Sequence, residues 1–250
     1  MASRRLAPRN AARLLAERDP VIGRLVADVG LPRLPPPDPS HFASLVRSVT
    51  HQQLAGAAAR AIHARLVVAL GGVVTPESLL ATPTGELRAA GLSAGKVASV
   101  QDLAARVLDG TVILDPRRLG RQDDEEVMAR LTVVRGIGQW SAQMFLMFQL
   151  RRPDVWPTGD LGVRRGFALA WGVPDVSSAM LEPLGEPFRP FRTVVAWYCW
   201  RALQVYAGAT PSAVTGARPD GGGKPESRTR PGTAGPRSRR PRRALPAAGS

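Results

Sequence analysis

Between two proline-rich breaks, the apolar residues recur every three or four positions, a period that calls for helices. Phe42, Leu45, Val46 and Val49 stand at i, i+3, i+4 and i+7, with Ser40 placed to cap the helix they would form. Val97, Val100, Ala104, Val107 and Leu108 make a second stripe. Asp19, then Pro20, then Val21, Ile22, Leu25 and Val26 supply an N-cap, a proline at the first helical position and an apolar face. Further helices fit roughly 52–69, 123–133, 139–150, 160–171 and 187–206. Only Gly72-Val-Val-Thr75 and Thr111-Val-Ile-Leu114 have strand character, and both are too short to organise a sheet. The expected fold is all-α, a bundle with a cleft.

The first break, Leu31 to Pro39, holds five prolines and reads as an extended connector. The second begins near Ala209. Pro211–Ser250 carries seven prolines, seven glycines and nine Lys/Arg against two acids, with almost nothing apolar to bury, so a disordered basic tail is expected there. Three parts follow: an N-terminal helical segment with its connector over 1–39, packing on the main domain; the main domain over 40–208; and the tail over 209–250. The net charge is +14, of which the tail holds half, so the body is basic in its own right. A polyanionic partner, nucleic acid first, explains this; codon bias toward arginine is the competing account.

Other classes drop out. No stretch approaches the roughly 20 apolar residues of a membrane span. No apolar signal core follows the basic N-terminus, so a cytoplasmic, nucleoid-associated protein is expected. The single cysteine, Cys199, cannot make an internal disulfide, an iron–sulfur cluster or a cysteine zinc site. His41, His51 and His63 fit no short metal-ligand motif, so no structural transition metal is expected.

Leu131-Thr-Val-Val-Arg-Gly-Ile-Gly-Gln-Trp-Ser-Ala142 joins two helical segments through a turn at Arg135–Gly138. Gly136 and Gly138 permit positive φ and remove side chains, so a phosphate can approach backbone N–H groups. The helix that follows points its positive end at the same place. Ile137, between the glycines, would plug the hairpin into the core. The plain alternative is an αα-hairpin that only packs. Twenty residues beyond Trp140, in Asp154-Val-Trp-Pro-Thr-Gly-Asp160, Asp160 opens another helix. An N-cap is its ordinary role, and a cap at the mouth of a cleft is also free to act as a catalytic carboxylate.

Together these two segments resemble the hairpin and catalytic aspartate of the helix-hairpin-helix DNA glycosylase superfamily, and within it the DNA-3-methyladenine glycosylase II type most. Thr50-His-Gln-Gln-Leu54, Gly91-Leu-Ser-Ala-Gly-Lys96 and Pro187 to Arg201 extend the resemblance in the same order, over about residues 10–206. It implies a base-excision enzyme acting on double-stranded DNA that contains alkylated bases, as a monomer, hydrolysing the bond between base and deoxyribose after the nucleotide is flipped out. By the same resemblance Asp160 is catalytic, with Asp154 as an unmatched rival. Trp140 and Trp197 form the base pocket, Trp171 and Trp200 being left to core packing. Gln53, Leu54, Gly136, Gly138 and Ser141 contact DNA, Leu54 filling the gap in the stack unless it is a core leucine. No cofactor is implied beyond a Na+ or K+ ion on the backbone carbonyls of Thr132, Val134 and Gly136. Lyase relatives carry an amine just inside the second hairpin helix, where this chain has Trp140, and only Lys96 and Lys224 are lysines, so a monofunctional enzyme is expected. The chain departs from the resembling family at Gly159, where an acid is usual, and at Met144 and Leu161, where some members have tyrosines. Two other readings stand beside it: a non-catalytic helix-hairpin-helix DNA-binding protein, and a sister glycosylase for another lesion.

Overall fold

A computed structural model describes residues 7–54 and 56–207. The tail expected to be disordered, from 209 onward, lies outside the described residues. Within them the chain is helical and contains no strand. Gly72–Thr75 and Thr111–Leu114 are turns and irregular connections, too short to find a pairing partner.

The order is α1 (Pro8–Arg18), α2 (Pro20–Val29), α3 (His41–His51), α4 (Gly56–Ala69), α5 (Pro76–Ala81), α6 (Thr84–Ala89), α7 (Ala94–Leu108), α8 (Pro116–Leu119), α9 (Asp124–Thr132) and α10 (Gln139–Met144). α10 runs directly into a five-residue π-helix, Phe145–Gln149, and α11 (Leu161–Trp171), α12 (Ser178–Leu184) and α13 (Arg192–Tyr206) complete the body. No helix among the described residues is long and apolar enough to cross a membrane.

Local chemistry sets several of these boundaries. The Asp19 carboxylate accepts the Ile22 N–H at 2.8 Å ahead of Pro20, and the Ser40 hydroxyl accepts the Ala43 N–H at 3.0 Å, both as the sequence predicts. α4 starts four residues later than its apolar pattern suggests, because Gln53 takes a left-handed conformation, φ 57°, and breaks the helix. α13 starts at Arg192 rather than 187. Pro190 lacks an N–H and disfavours helical geometry at Arg189, so the chain makes only a 3₁₀ turn at Glu186–Phe188 before it.

The core is one continuous cluster, with Leu45, Val49, Leu103, Val163, Val195 and Tyr198 fully buried. α1 and α2 bury Ala12, Leu15, Ile22 and Leu25 against it. Polar ties fasten this segment to the last helices. Arg24 donates to the Ala170 carbonyl at 2.7 Å, the Trp171 indole to Asp19 at 3.2 Å, and the Tyr198 hydroxyl to the Gly30 carbonyl at 3.1 Å. The connector after α2 is irregular, and Gln149 holds it by bonding both the N–H (2.9 Å) and the carbonyl (3.2 Å) of Asp38.

α11 and α13 lie unusually close. A Cβ on Gly166 would overlap the Cys199 carbonyl, and one on Gly162 would sit 2.8 Å from Cδ1 of Trp200. Two glycines four apart therefore open one face of α11 to the backbone of α13. Cys199 is buried in that seam, where burial, reinforced by the nearby Asp160 charge, pushes its thiol well above the usual range.

Candidate active site and nucleic-acid interface

α9 buries Val127 and Leu131 and ends in the turn Val133–Gly138. Ile137 is buried, plugging the hairpin into the core as expected. The two glycines do different work. Gly136 has φ 75°, and a Cβ there would overlap Ser99 Oγ on α7, so both conformation and space demand glycine. Gly138, expected to need the same freedom, is extended instead, with φ −92° and nothing within 4 Å of a Cβ position. Its contribution is open space in front of the first turn of α10, which has no side-chain cap.

Three donors converge on the Asp160 carboxylate. As the cap of α11, Oδ1 accepts the Val163 N–H at 2.8 Å and also the Trp200 indole N–H at 2.9 Å. Oδ2 accepts the Trp140 indole N–H at 2.6 Å. Cap and binding group thus coexist in one residue, as the sequence allows. The close seam between α11 and α13 explains the Trp200 contact, since without Cβ atoms at 162 and 166 the indole reaches the carboxylate.

The tryptophans divide differently from expectation. Trp200 packs against the core as expected, but its indole also stacks on Phe148 (centroids 5.9 Å apart) and bonds Asp160. Trp197, expected in the pocket, packs edge-on against Tyr198 with the Arg201 guanidinium 5.7 Å from its ring centre. Three residues along a helix differ by about 60° in direction, so one indole faces Asp160 and the other does not. Asp154, the rival, is instead engaged in an ion pair: Arg192 binds both its oxygens (2.9 and 3.0 Å) and Arg189 adds a contact at 2.6 Å.

A cleft of about 530 Å³ opens between α3 and the α10/π-helix segment. One wall is polar, with Ser44, Arg47, Ser48 and His51 at i, i+3, i+4 and i+7 on α3. The other is apolar and aromatic, from Trp140, Met144, Phe145 and Phe148, with Trp140 47 % exposed. Trp140 joins this wall to Asp160, so the carboxylate stands at the edge of the aromatic surface. Burial, with the Arg47 charge next, keeps the His51 imidazole below the ordinary histidine range.

At the rim, Gln53 and Leu54 project from the loop after α3. Leu54 is 38 % exposed, which removes the core-leucine alternative. Ser141 is only 4 % exposed, and its hydroxyl accepts from Gln52 at 3.2 Å, so its first partner is protein rather than an approaching strand. Gln52, which lies within the Thr50–Leu54 segment but was not singled out as a site residue, also donates to the Gly136 carbonyl at 2.9 Å and ties the loop to the hairpin. Of the three carbonyls expected to hold a monovalent cation, Val134 accepts from Ile137 (3.1 Å) and Gly136 from Gln52, each keeping one lone pair. No group of three or more His, Cys, Asp or Glu suited to a metal exists among the described residues.

Residues 46–190 match the family described as HhH-GPD superfamily base excision DNA repair protein. The chain belongs to this superfamily. Among its HhH-GPD relatives, a DNA-3-methyladenine glycosylase 1 of Schizosaccharomyces pombe is 36 % identical over 167 residues, covering 66 % of this chain and 73 % of its own. The solved structure of a 3-methyladenine DNA glycosylase from the same yeast, in complex with abasic DNA, superposes with a TM-score of 0.71 at 31 % identity, over 80 % of this chain and all of that one. A DNA-3-methyladenine glycosidase from Bacillus halodurans gives the same TM-score at 32 % identity, over 80 % and 92 % of the two chains. The matched range contains α9, the turn, α10 and Asp160.

Proposed function

We propose that this HhH-GPD protein is a monofunctional DNA glycosylase, acting as a monomer in the cytoplasm on double-stranded DNA. Its substrates are alkylated purines of the 3-methyladenine and 7-methylguanine type, and it hydrolyses their glycosidic bond once the nucleotide is turned out of the duplex. The observation that carries the reading is the Asp160 carboxylate, held by three donors at the edge of an aromatic cleft wall. The activities named for the yeast and Bacillus relatives support it.

As the bond to the base breaks, the sugar gains oxocarbenium character. A carboxylate about 4 Å away, at an effective dielectric of about 20, stabilises that charge by roughly 4 kcal/mol, on the order of a thousandfold in rate. Three of the roughly four lone-pair positions on Asp160 already have donors, leaving about one on Oδ2 for the attacking water. Alkylation at N3 or N7 makes the purine cationic, and the electron-rich face of Trp140 favours a cation over a neutral base. The same alkylation makes the base a better leaving group. The only lysine among the described residues, Lys96, has its amine bonded to two backbone carbonyls, which supports the absence of Schiff-base chemistry. A monovalent cation on the Thr132, Val134 and Gly136 carbonyls belongs to the same reading, adding positive charge beside a DNA phosphate and taking no part in bond cleavage.

The deciding experiment is base release from methylated duplex DNA by the wild type and Asp160→Asn. The amide keeps an oxygen for the Val163 N–H but turns an NH₂ toward one of the indole N–H donors, and it carries no charge. Release is expected to fall by about a thousandfold with duplex binding retained. Equal release by the variant overturns the assignment. Release by neither protein, with binding intact, selects the non-catalytic reading or another lesion, which uracil, oxidised-guanine and hypoxanthine duplexes would then distinguish.

A further inference from the structure

α7 passes beneath both the rim loop and the hairpin, and its side chains at 96, 99 and 102 meet them in turn. The Lys96 ammonium donates to the Thr50 carbonyl at 2.7 Å and the Gln52 carbonyl at 2.8 Å. Ser99 stands directly under Gly136. Asp102 accepts the Arg135 backbone N–H at 2.8 Å, and that amide is the main reason its carboxyl is held below the usual carboxylate range.

Several carbonyls at and just beyond the end of α3 have clear partners. Val49 accepts from the Gln52 N–H and His51 from the Leu54 N–H, each at 3.3 Å. The Thr50 and Gln52 carbonyls accept from Lys96. A cation at this end of the helix also complements its dipole. Burial lowers the Lys96 ammonium from the ordinary lysine range, an opposing cost that the two carbonyls offset. The chain has 34 basic residues, all but two of them arginine, yet a lysine stands here. A compact ammonium with three freely turned donors suits two converging carbonyls better than a planar guanidinium does.

The same loop is fastened on its other side by the Gln52 amide, which bonds Gly136 and Ser141 across the hairpin. Immediately after the two ties comes Gln53 at φ 57°, a conformation uncommon for a non-glycine residue and kept where its surroundings over-determine it. We infer that Lys96 is a positioning residue for base extrusion: by holding the Thr50 and Gln52 carbonyls it presents Gln53 and Leu54 at a fixed height over the hairpin. This rests on the proposed function only in taking the loop as the element that enters the duplex.

The test pairs two readouts. The first is the fluorescence of a mispaired 2-aminopurine in a duplex, which rises when that base is unstacked and needs no catalysis. The second is single-turnover base release from methylated duplex at saturating protein, with affinity measured separately by anisotropy. Lys96→Met is expected to lower both the fluorescence rise and release about tenfold while duplex affinity stays within about twofold. Lys96→Arg, keeping charge and donors, recovers part of the loss. If circular dichroism shows that Lys96→Met does not fold, Gln52→Ala, which cuts the other tie, is expected to give the same pattern. A wild-type fluorescence rise in the variant overturns the inference, as does a loss that appears only as weaker affinity, or the absence of any rise with the wild type. A wild type that unstacks 2-aminopurine but releases no methylated base refutes the alkylated-purine reading, and fluorescence alone then decides the role of Lys96.

Discussion

Asp160 serves two purposes with one carboxylate: it closes the first turn of α11 and presents charge beside the cleft. Trp140 holds one of its oxygens and Trp200 the other, so its aim depends on residues 60 positions apart in sequence. Trp200→Phe preserves the stack on Phe148 and removes one donor from a charged acceptor, an interaction worth about 1.5–3 kcal/mol. Release at saturating enzyme is expected to fall about tenfold or more with duplex affinity unchanged, measured in single turnover. A variant with lower Tm and unaltered release would reduce Trp200 to packing. Asp160 as a cap and Ile137 as a plug between glycines were readable from sequence because these are local patterns, whereas Leu54 came only through the family resemblance. Trp200 was not, because its partner lies on another helix. The signal was present in Gly162 and Gly166, whose spacing marks the face of α11 that α13 approaches.

At the level of the elements, the α11–α13 seam aligns the site. Gly166→Ala puts a methyl group into the Cys199 carbonyl, and backbone cannot swing aside as a side chain can. Overpacking of this kind costs about 3 kcal/mol, expected as a fall of roughly 10 °C in Tm by thermal unfolding, along with release, since Trp200 moves away from Asp160. Helix starts at Pro20 and His41 could be read from Asp19 and Ser40 because capping is chemistry between near neighbours. Two features escaped periodicity. The π-helix at Phe145–Gln149 keeps an apolar pattern that an α-helix would share, and the break at Gln53 is a left-handed residue that its type does not announce. Both flank the cleft, where tertiary contacts outweigh local preference.

Over the whole chain, positive charge is divided between a basic body and an equally basic tail, +7 in each. Deleting residues 211–250 is expected to weaken duplex affinity and flatten its dependence on salt, because fewer counterions are released on binding. The rate at saturating enzyme should stay the same, since the residues around Asp160 are untouched; anisotropy titrations at several salt concentrations check this. Composition alone suggests a division of the chain, whereas the docking of α1 and α2 through Arg24, Asp19 and Gly30 required the folded partners. Cys199, buried in the α11–α13 seam and kept protonated there, bears on how the molecule can be handled. With its only thiol shielded from maleimides and other electrophiles, the native protein is effectively cysteine-free. A single cysteine introduced at the loop rim would be the one attachment point for a dye, and the motion of that loop on a duplex could be followed without first removing any native residue.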